Sequence, residues 1–261
     1  MKKNISFFYG YETPYHKRID LIEQAGFDGV LIYGDKNLSE YIDLLFCSKL
    51  NIEALHLPYN GIVNELWKEG SPGDEYVDNL IDYIYFAKKY TIKKVIAHIS
   101  GSDNPPPYNE IGINRINKIL NVCSTLDINL CLENLRRLDY LKYVFENIKN
   151  DRLRFCFDAG HASAFTKNIY SFPWNLYAEK LECTHLHDNN GIEDMHLLPF
   201  DGIIDWSIII NQLIRFNRKI ELTIEIQEKA PKIHNLNETD FLNLCFTRLL
   251  KMESLINNDL T

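Results

Sequence analysis

The chain has 261 residues, 46% hydrophobic and 25% charged, with 28 Lys+Arg against 36 Asp+Glu and a formal net charge of −8. That length suits one large α/β domain or two small ones and can bury a sizeable core without disulfides. The acidic balance disfavours a polyanion such as nucleic acid as main partner, and no run of about 18 apolar residues offers a membrane span.

The opening stretch, MKKNISFFYGYETPYHK, lacks a signal-peptide core and a small-residue cleavage site. Cys47, Cys123, Cys131, Cys156, Cys183 and Cys245 form no CxxC pair, so reduced thiols and a cytoplasmic location are expected.

Short apolar runs then alternate with amphipathic segments. Strands are expected at residues 4–9, 29–33, 52–57, 94–99, 129–132, 153–157, 181–186 and 221–226. Helices are expected at residues 15–25, 38–49, 75–90, 113–126, 140–147, 206–216 and 240–256, with a shorter one at 174–180. In LIEQAGFDGV the helical pattern stops at Gly26 and a strand follows Gly29. Eight β-then-α units over residues 1–261 predict a single-domain α/β protein, a (β/α)8 TIM barrel. A doubly wound open sheet competes, but the sequence has no GxGxxG after the first strand and no GxxxxGK[ST]. SGSDNPPPYNE, with Pro105–Pro107, must be a loop after the fourth strand, at the mouth of such a barrel.

The chemistry gathers at the strand ends. LHLPY supplies His56, AHISG His98, LENL Glu133, and FDAGHA Asp158 and His161. THLHDNNG supplies His185, with His187 and Asp188 behind it; the loop EDMHLLPFDG adds Asp194 and His196, and IEIQ gives Glu225. Those ends converge on one face of a barrel. Imidazole with carboxylate suits zinc, manganese or iron, and buried acids coexist most cheaply around a cation. A single strand-end histidine is more often a hydrogen-bonded structural residue, and a single acid a helix cap. The common phase of the set is what marks a metal site. His187 is read as a residue behind the ligands, and His16 and His234 as surface residues. Cys131, Cys156 and Cys183 each precede a ligand by two, so they face inward one layer lower, as core filler.

From LHLPY through LENL, FDAGHA, HLHDNNG and DMHLLPFDG to IEIQ, the chain resembles the xylose isomerase-like barrel superfamily. Two branches offer patterns. The resemblance to ketose 3-epimerases implies one divalent metal on Glu133, Asp158, His185 and Glu225, the two glutamates doubling as acid and base, and His161 touching substrate. The resemblance to endonuclease IV implies up to three zinc ions on those four plus His56, His98, His161, Asp194 and His196. HLPYNGIVNELW, LENLRRLDYL and HLHDNNGIEDMHLLPFDGIIDW are closer to the bacterial sugar phosphate isomerase/epimerase branch. One departure stands out: the epimerases usually carry an arginine shortly after the seventh-strand histidine, and LHDNNGIED has none.

The first expectation is therefore a zinc- or manganese-dependent sugar or sugar-phosphate isomerase or epimerase of carbohydrate metabolism, working through an enediolate. Its substrate contacts are expected from His161, Arg136, Arg137, Tyr59 and Trp67, with Tyr9 and Tyr33 as further aromatic lining. The alternative is a zinc-dependent endonuclease acting at abasic DNA sites. A lyase or dehydratase, and a barrel that merely binds a sugar, are further readings; the intact donor set speaks against the last. Homo-oligomers are common in the superfamily.

Overall fold

The computed structural model describes residues 1–59, 61–166 and 169–257. Each apolar run forms a strand: β1 (Lys3–Ser6), β2 (Gly29–Tyr33), β3 (Asn51–His56), β4 (Lys94–Ala97), β5 (Asn129–Glu133), β6 (Leu153–Asp158), β7 (Leu181–His185) and β8 (Leu222–Ile224). The sheet runs β7-β6-β5-β4-β3-β2-β1-β8, with the paired strands parallel. It closes through a parallel bridge just beyond β7, where Leu186 N–H donates to Thr223 O at 2.9 Å and Glu225 N–H donates to Leu186 O at 3.3 Å. The fold is thus a single (β/α)8 barrel. The bridge that joins the two end strands, β7 and β8, rules out the open sheet.

The helices are α1 (Tyr15–Ala25), α2 (Leu38–Phe46), α3 (Ser71–Lys89), α4 (Glu110–Leu126), α5 (Leu138–Asn147), α6 (Ala159–Phe165), α7 (Trp174–Tyr177), α8 (Trp206–Phe216), α9 (Lys229–His234) and α10 (Glu238–Asn257). α1 ends as expected because Gly26 takes φ 97°, which turns the chain into the next strand. α3 and α4 start earlier than their apolar stripes: Pro72 occupies the first turn of α3, and the Asn109 side chain accepts from Ile111 and Gly112 N–H. Segment 174–180 divides into α7 and a 3-10 turn, Ala178–Lys180. α6 and α9 were not anticipated. AGHASAF is made mostly of small residues and carries no clear apolar stripe, so its helicity comes from the cap supplied by Asp158, which accepts from His161 N–H at 2.6 Å.

The main core lies between the outer strand faces and the helices, with Ile5, Val30, Leu55, Val95, Leu130 and Phe155 all buried. Inside the barrel a small dry cluster of Leu31, Ala54, Ile96, Cys131, Cys156 and Cys183 forms the middle layer. Below it Lys94 reaches Glu53 at 2.8 Å and Glu221 at 3.7 Å, and Asn4 donates to Glu221. This polar plug is an ion pair out of water, so removing one partner strands the other. Lys94→Met is expected to lower unfolding stability by about 3–5 kcal/mol, whereas a Glu53→Gln, Lys94→Met double variant recovers part of the loss. Urea denaturation of the three proteins checks this.

Candidate active site

Strand alternation builds the site directly on the dry layer. Two residues beyond Leu31, Ala54, Ile96, Cys131, Cys156 and Cys183 come Tyr33, His56, His98, Glu133, Asp158 and His185, and Glu225 follows β8. The barrel is staggered, so these side chains do not sit at one height: Glu133 pairs in register with Cys156, whereas Asp158 pairs with His185. Asn134 ties the two acidic strand ends together, donating to Asp158 O and accepting from Asp158 N–H, both at 2.8 Å. Sequence reasoning passed over Asn134; its place beside Glu133 in LENL was the available signal.

Glu133 is the hub. Its Oε2 lies 3.3 Å from His56 Nε2, 3.2 Å from His98 Nε2 and 3.4 Å from His185 Nδ1, while Oε1 lies 2.8 Å from His161 Nδ1. Glu225 Oε2 is 3.2 Å from His185 Nδ1. Asp194 bridges outward, with Oδ2 3.2 Å from His161 Nε2 and Oδ1 3.3 Å from His196 Nε2. The nine predicted donors therefore meet at one mouth. All of them but His98 fall into overlapping groups, among them Asp158, His185 and Glu225; His56, Glu133 and His185; and His161, His187, Asp194 and His196. His187 was expected behind the ligands. It is fully buried, its Nε2 3.1 Å from the Asp158 carboxylate, and it also belongs to the last group.

A loop between β7 and α8 delivers Asp194 and His196, and Asp188 organises it. The Asp188 carboxylate accepts from the N–H groups of Asn189, Phe200 and Ile204 and from Trp206 Nε1, at 2.9–3.2 Å. His196 itself sits at φ 47°, a left-handed conformation uncommon for a side chain of its size and of the kind that clusters at functional sites.

The donor set fits a divalent cation. His56, His161 and His196 each turn Nδ1 to a backbone carbonyl, of Leu57, Asn134 and Glu225 respectively, which leaves Nε2 facing a carboxylate. An imidazole lone pair and a carboxylate repel at such separations unless a proton or cation lies between them, and this orientation is the one metal-ligating histidines adopt. Among the described residues, neither His185 nitrogen nor Asp194 Oδ1, all buried, has a partner in hydrogen-bond geometry. Without a cation, protons take its place. Burial alone would pull His185 and His196 down, but Glu225 and Glu133 outweigh it at His185, pushing it up to about 10, and Asp194 and Glu225 do so at His196, pushing it up to about 9. Burial raises Glu225, yet His185 and His196 hold it down at about 2.

The expected substrate contacts divide. Arg136 lies over the Phe165 ring at 4.1 Å, pairs with Asp103 at 3.1 Å, and lines a cavity of about 180 Å³ together with Ser100, His98, His161 and Tyr59. Tyr59 also borders a larger cavity of about 720 Å³ and stands 4.3 Å from the His98 ring. Arg137 is 40% exposed, and its guanidinium pairs with Asp139 by two bonds of 2.9 and 2.7 Å. Trp67 is corrected. It is 2% exposed, donates to Ile99 O at 2.6 Å and packs on Tyr140, so it supports the loop instead of meeting a ligand. Tyr9 is likewise buried, donating to Glu238. His234 is half-buried against Asp201 instead of lying free on the surface, and His16 is exposed.

The raised histidines set a pH dependence. A proton bound more tightly in the folded state than at the ordinary 6.5 stabilises the fold fully below about pH 6.5, and that stability is lost as pH rises through about 9 to about 10. The urea midpoint of the metal-stripped protein is expected to fall across that window. Added zinc or manganese should restore it, releasing protons as it binds.

The comparisons with known proteins agree with this architecture. An uncharacterised protein of Methanocaldococcus jannaschii is 26% identical over 246 residues, 89% of this chain and 88% of that one. An uncharacterised protein of Sinorhizobium fredii is 27% identical over 140 residues, 51% of this chain but 44% of its own length, so the match spans less than half of that relative. Among solved structures, a D-tagatose 3-epimerase-like protein superposes with a TM-score of 0.76 at 19% identity over 100% of both chains. D-psicose 3-epimerase from Clostridium cellulolyticum H10 does so with 0.77 at 15% identity, over 98% of this chain and 99% of that one. A 3-keto-D-glucoside 4-epimerase from E. coli gives 0.68 at 15%, over 94% and 100%. At these identities the structural likeness establishes the barrel. Residues 19–240 match the family described as xylose isomerase-like TIM barrel, and the chain belongs to that family.

Proposed function

We propose that the protein is a divalent-metal-dependent isomerase or epimerase of a sugar or sugar phosphate, with Glu133 and Glu225 as its proton-transferring pair. One observation carries this reading: two buried carboxylates, from β5 and from the end of β8, approach the same His185 nitrogen at 3.4 and 3.2 Å beneath an open mouth. The names of the structural neighbours, which are sugar epimerases, support the same chemistry.

Glu133, Asp158, His185 and Glu225 would hold a divalent cation, which when bound would supply Lewis-acid polarisation of a substrate carbonyl. One glutamate accepts the proton from the carbon beside that carbonyl; the C–H electron pair forms a C=C bond to the carbonyl carbon as the C=O π pair moves onto oxygen, giving an enediolate. Return of a proton to the opposite face of that carbon epimerises it; return to the neighbouring carbon isomerises. His161 is oriented through Nδ1 by Asn134 O and Glu133, with Nε2 at Asp194, so a substrate hydroxyl would meet it at the cavity it lines with Arg136. Arg136, charged and at the rim, suits a substrate hydroxyl or phosphate. The thiol and aliphatic layer beneath keeps the floor of the site dry.

A second reading has a specific observation behind it. Eight of the nine donors of an endonuclease IV-like zinc cluster lie in overlapping groups, and the ninth, His98, stands 3.2 Å from Glu133. The formal charge of −8 weighs against a polyanionic substrate.

The test is solvent exchange in D2O with zinc- or manganese-loaded protein and a panel containing D-tagatose, D-psicose, D-fructose, L-ribulose and their phosphates. Deuterium should enter at the carbon beside the carbonyl. Glu133→Gln and Glu225→Gln should each lower kcat by about 10²–10⁴-fold. Absence of exchange with every member of the panel, together with cleavage of an oligonucleotide at an abasic site, would reverse the order of the two readings. Bound metal, counted by elemental analysis, adds to the decision: one ion per chain favours carbonyl chemistry, three zinc ions the nuclease.

A further inference from the structure

Glu133 and Glu225 are held differently, and the geometry points to Tyr33 as the positioning residue that sets Glu225 apart. Tyr33 engages Oε1 of Glu225 and leaves Oε2 alone to face the metal donors. This inference rests on the reading of the site as a metal-dependent proton-transfer centre.

Tyr33 is the last residue of β2 and faces inward above Leu31. Its hydroxyl donates to Glu225 Oε1 at 2.7 Å. Its ring lies along the His56 ring, with centroids 5.7 Å apart at 24°, and its carbonyl accepts from the Tyr41 hydroxyl at 3.5 Å. The phenol is therefore fixed from strand, ring and hydroxyl at once. The other oxygen of Glu225, Oε2, is the one near imidazole: 3.2 Å from His185 Nδ1 and 4.0 Å from His196 Nδ1.

Glu133 has no such division. Its Oε1 faces His161, and its Oε2 faces His56, His98 and His185, so both oxygens point into the donor cluster. Tyr33, by contrast, also lines the cavity of about 720 Å³ that opens beside the site. A carboxylate can bind a cation through one oxygen or both. A neutral hydroxyl on Oε1 opposes the second mode, and it leaves that oxygen a lone pair that no cation takes. On this assignment Glu225, with one oxygen outside the donor set, is the member of the pair that takes the first proton, and Glu133, with both oxygens in the cluster, is the more firmly anchored one.

A purely structural tyrosine would give a different signature. If the hydroxyl only braced the donor set, its loss would weaken metal binding and turnover together. If it restrains Glu225 from chelating, its loss strengthens metal binding while turnover falls. The test uses Tyr33→Phe, which keeps the ring and its packing, in the full-length chain. Mn(II) binding to the metal-stripped protein, without any sugar, should tighten by about three- to tenfold as Oε1 joins the ion. With an exchanging ketose, kcat should fall by about ten- to a hundredfold while KM stays within about threefold. Mn(II) binding that is unchanged or weaker in the variant overturns the inference, and so does an unchanged kcat. If the wild-type protein exchanges no solvent deuterium with any ketose, it is the functional reading that fails, and the Mn(II) isotherms alone still decide whether Tyr33 restrains Glu225.

Discussion

The mouth of this barrel depends on the neutralisation of buried carboxylates by imidazoles. Glu133 is 1% exposed, and four histidine nitrogens approach it within 3.4 Å. Glu225 and Asp194 repeat the arrangement on either side, sharing His185 and His161 with it. An isolated ionised carboxylate in such a place would cost many kcal/mol. The cluster is stable because each acid has a nitrogen that can carry a proton or lend its lone pair to a metal. Protons and metal ions therefore compete for the same seats, which ties the stability of the fold to the chemistry of the site.

That arrangement needs rigid support, and the support is mostly backbone. Asp158 is an example of one residue serving two purposes. One carboxylate oxygen caps α6 by accepting from His161 N–H, and the same carboxylate stands among the donors with His185, His187 and Glu225. Capping fixes the carboxylate's direction before any ligand arrives, and it places His161 on the first turn of α6, over Glu133. Asp188 does comparable work at a distance. By gathering four donors from its loop it holds Asp194 and His196 over the strand ends, although neither belongs to a strand.

Much of this was legible in the residue order. A parallel barrel repeats one unit, and the period-two pattern of each strand says which side chains face inward. The pairs Cys131/Glu133, Cys156/Asp158 and Cys183/His185 could be read as two stacked layers, and they are two stacked layers. Helix starts were less legible, because Pro72 and Asn109 act through backbone geometry and not through an apolar stripe. α6 escaped notice because its existence depends on a cap from the preceding strand.

The sequence by itself determined the barrel, the inward phase of its strands and the gathering of carboxylates and imidazoles at one end, since each follows from local periodicity and residue type. The tertiary structure decided what depends on distance across the barrel. It turned Trp67 into a prop for the loop, closed Arg137 onto Asp139, brought His187 in among the donors, and set the Tyr33 hydroxyl against Glu225 from 192 positions away in the chain. The stagger of the strands and the path of the loops fix those separations, and no local pattern of residues encodes them.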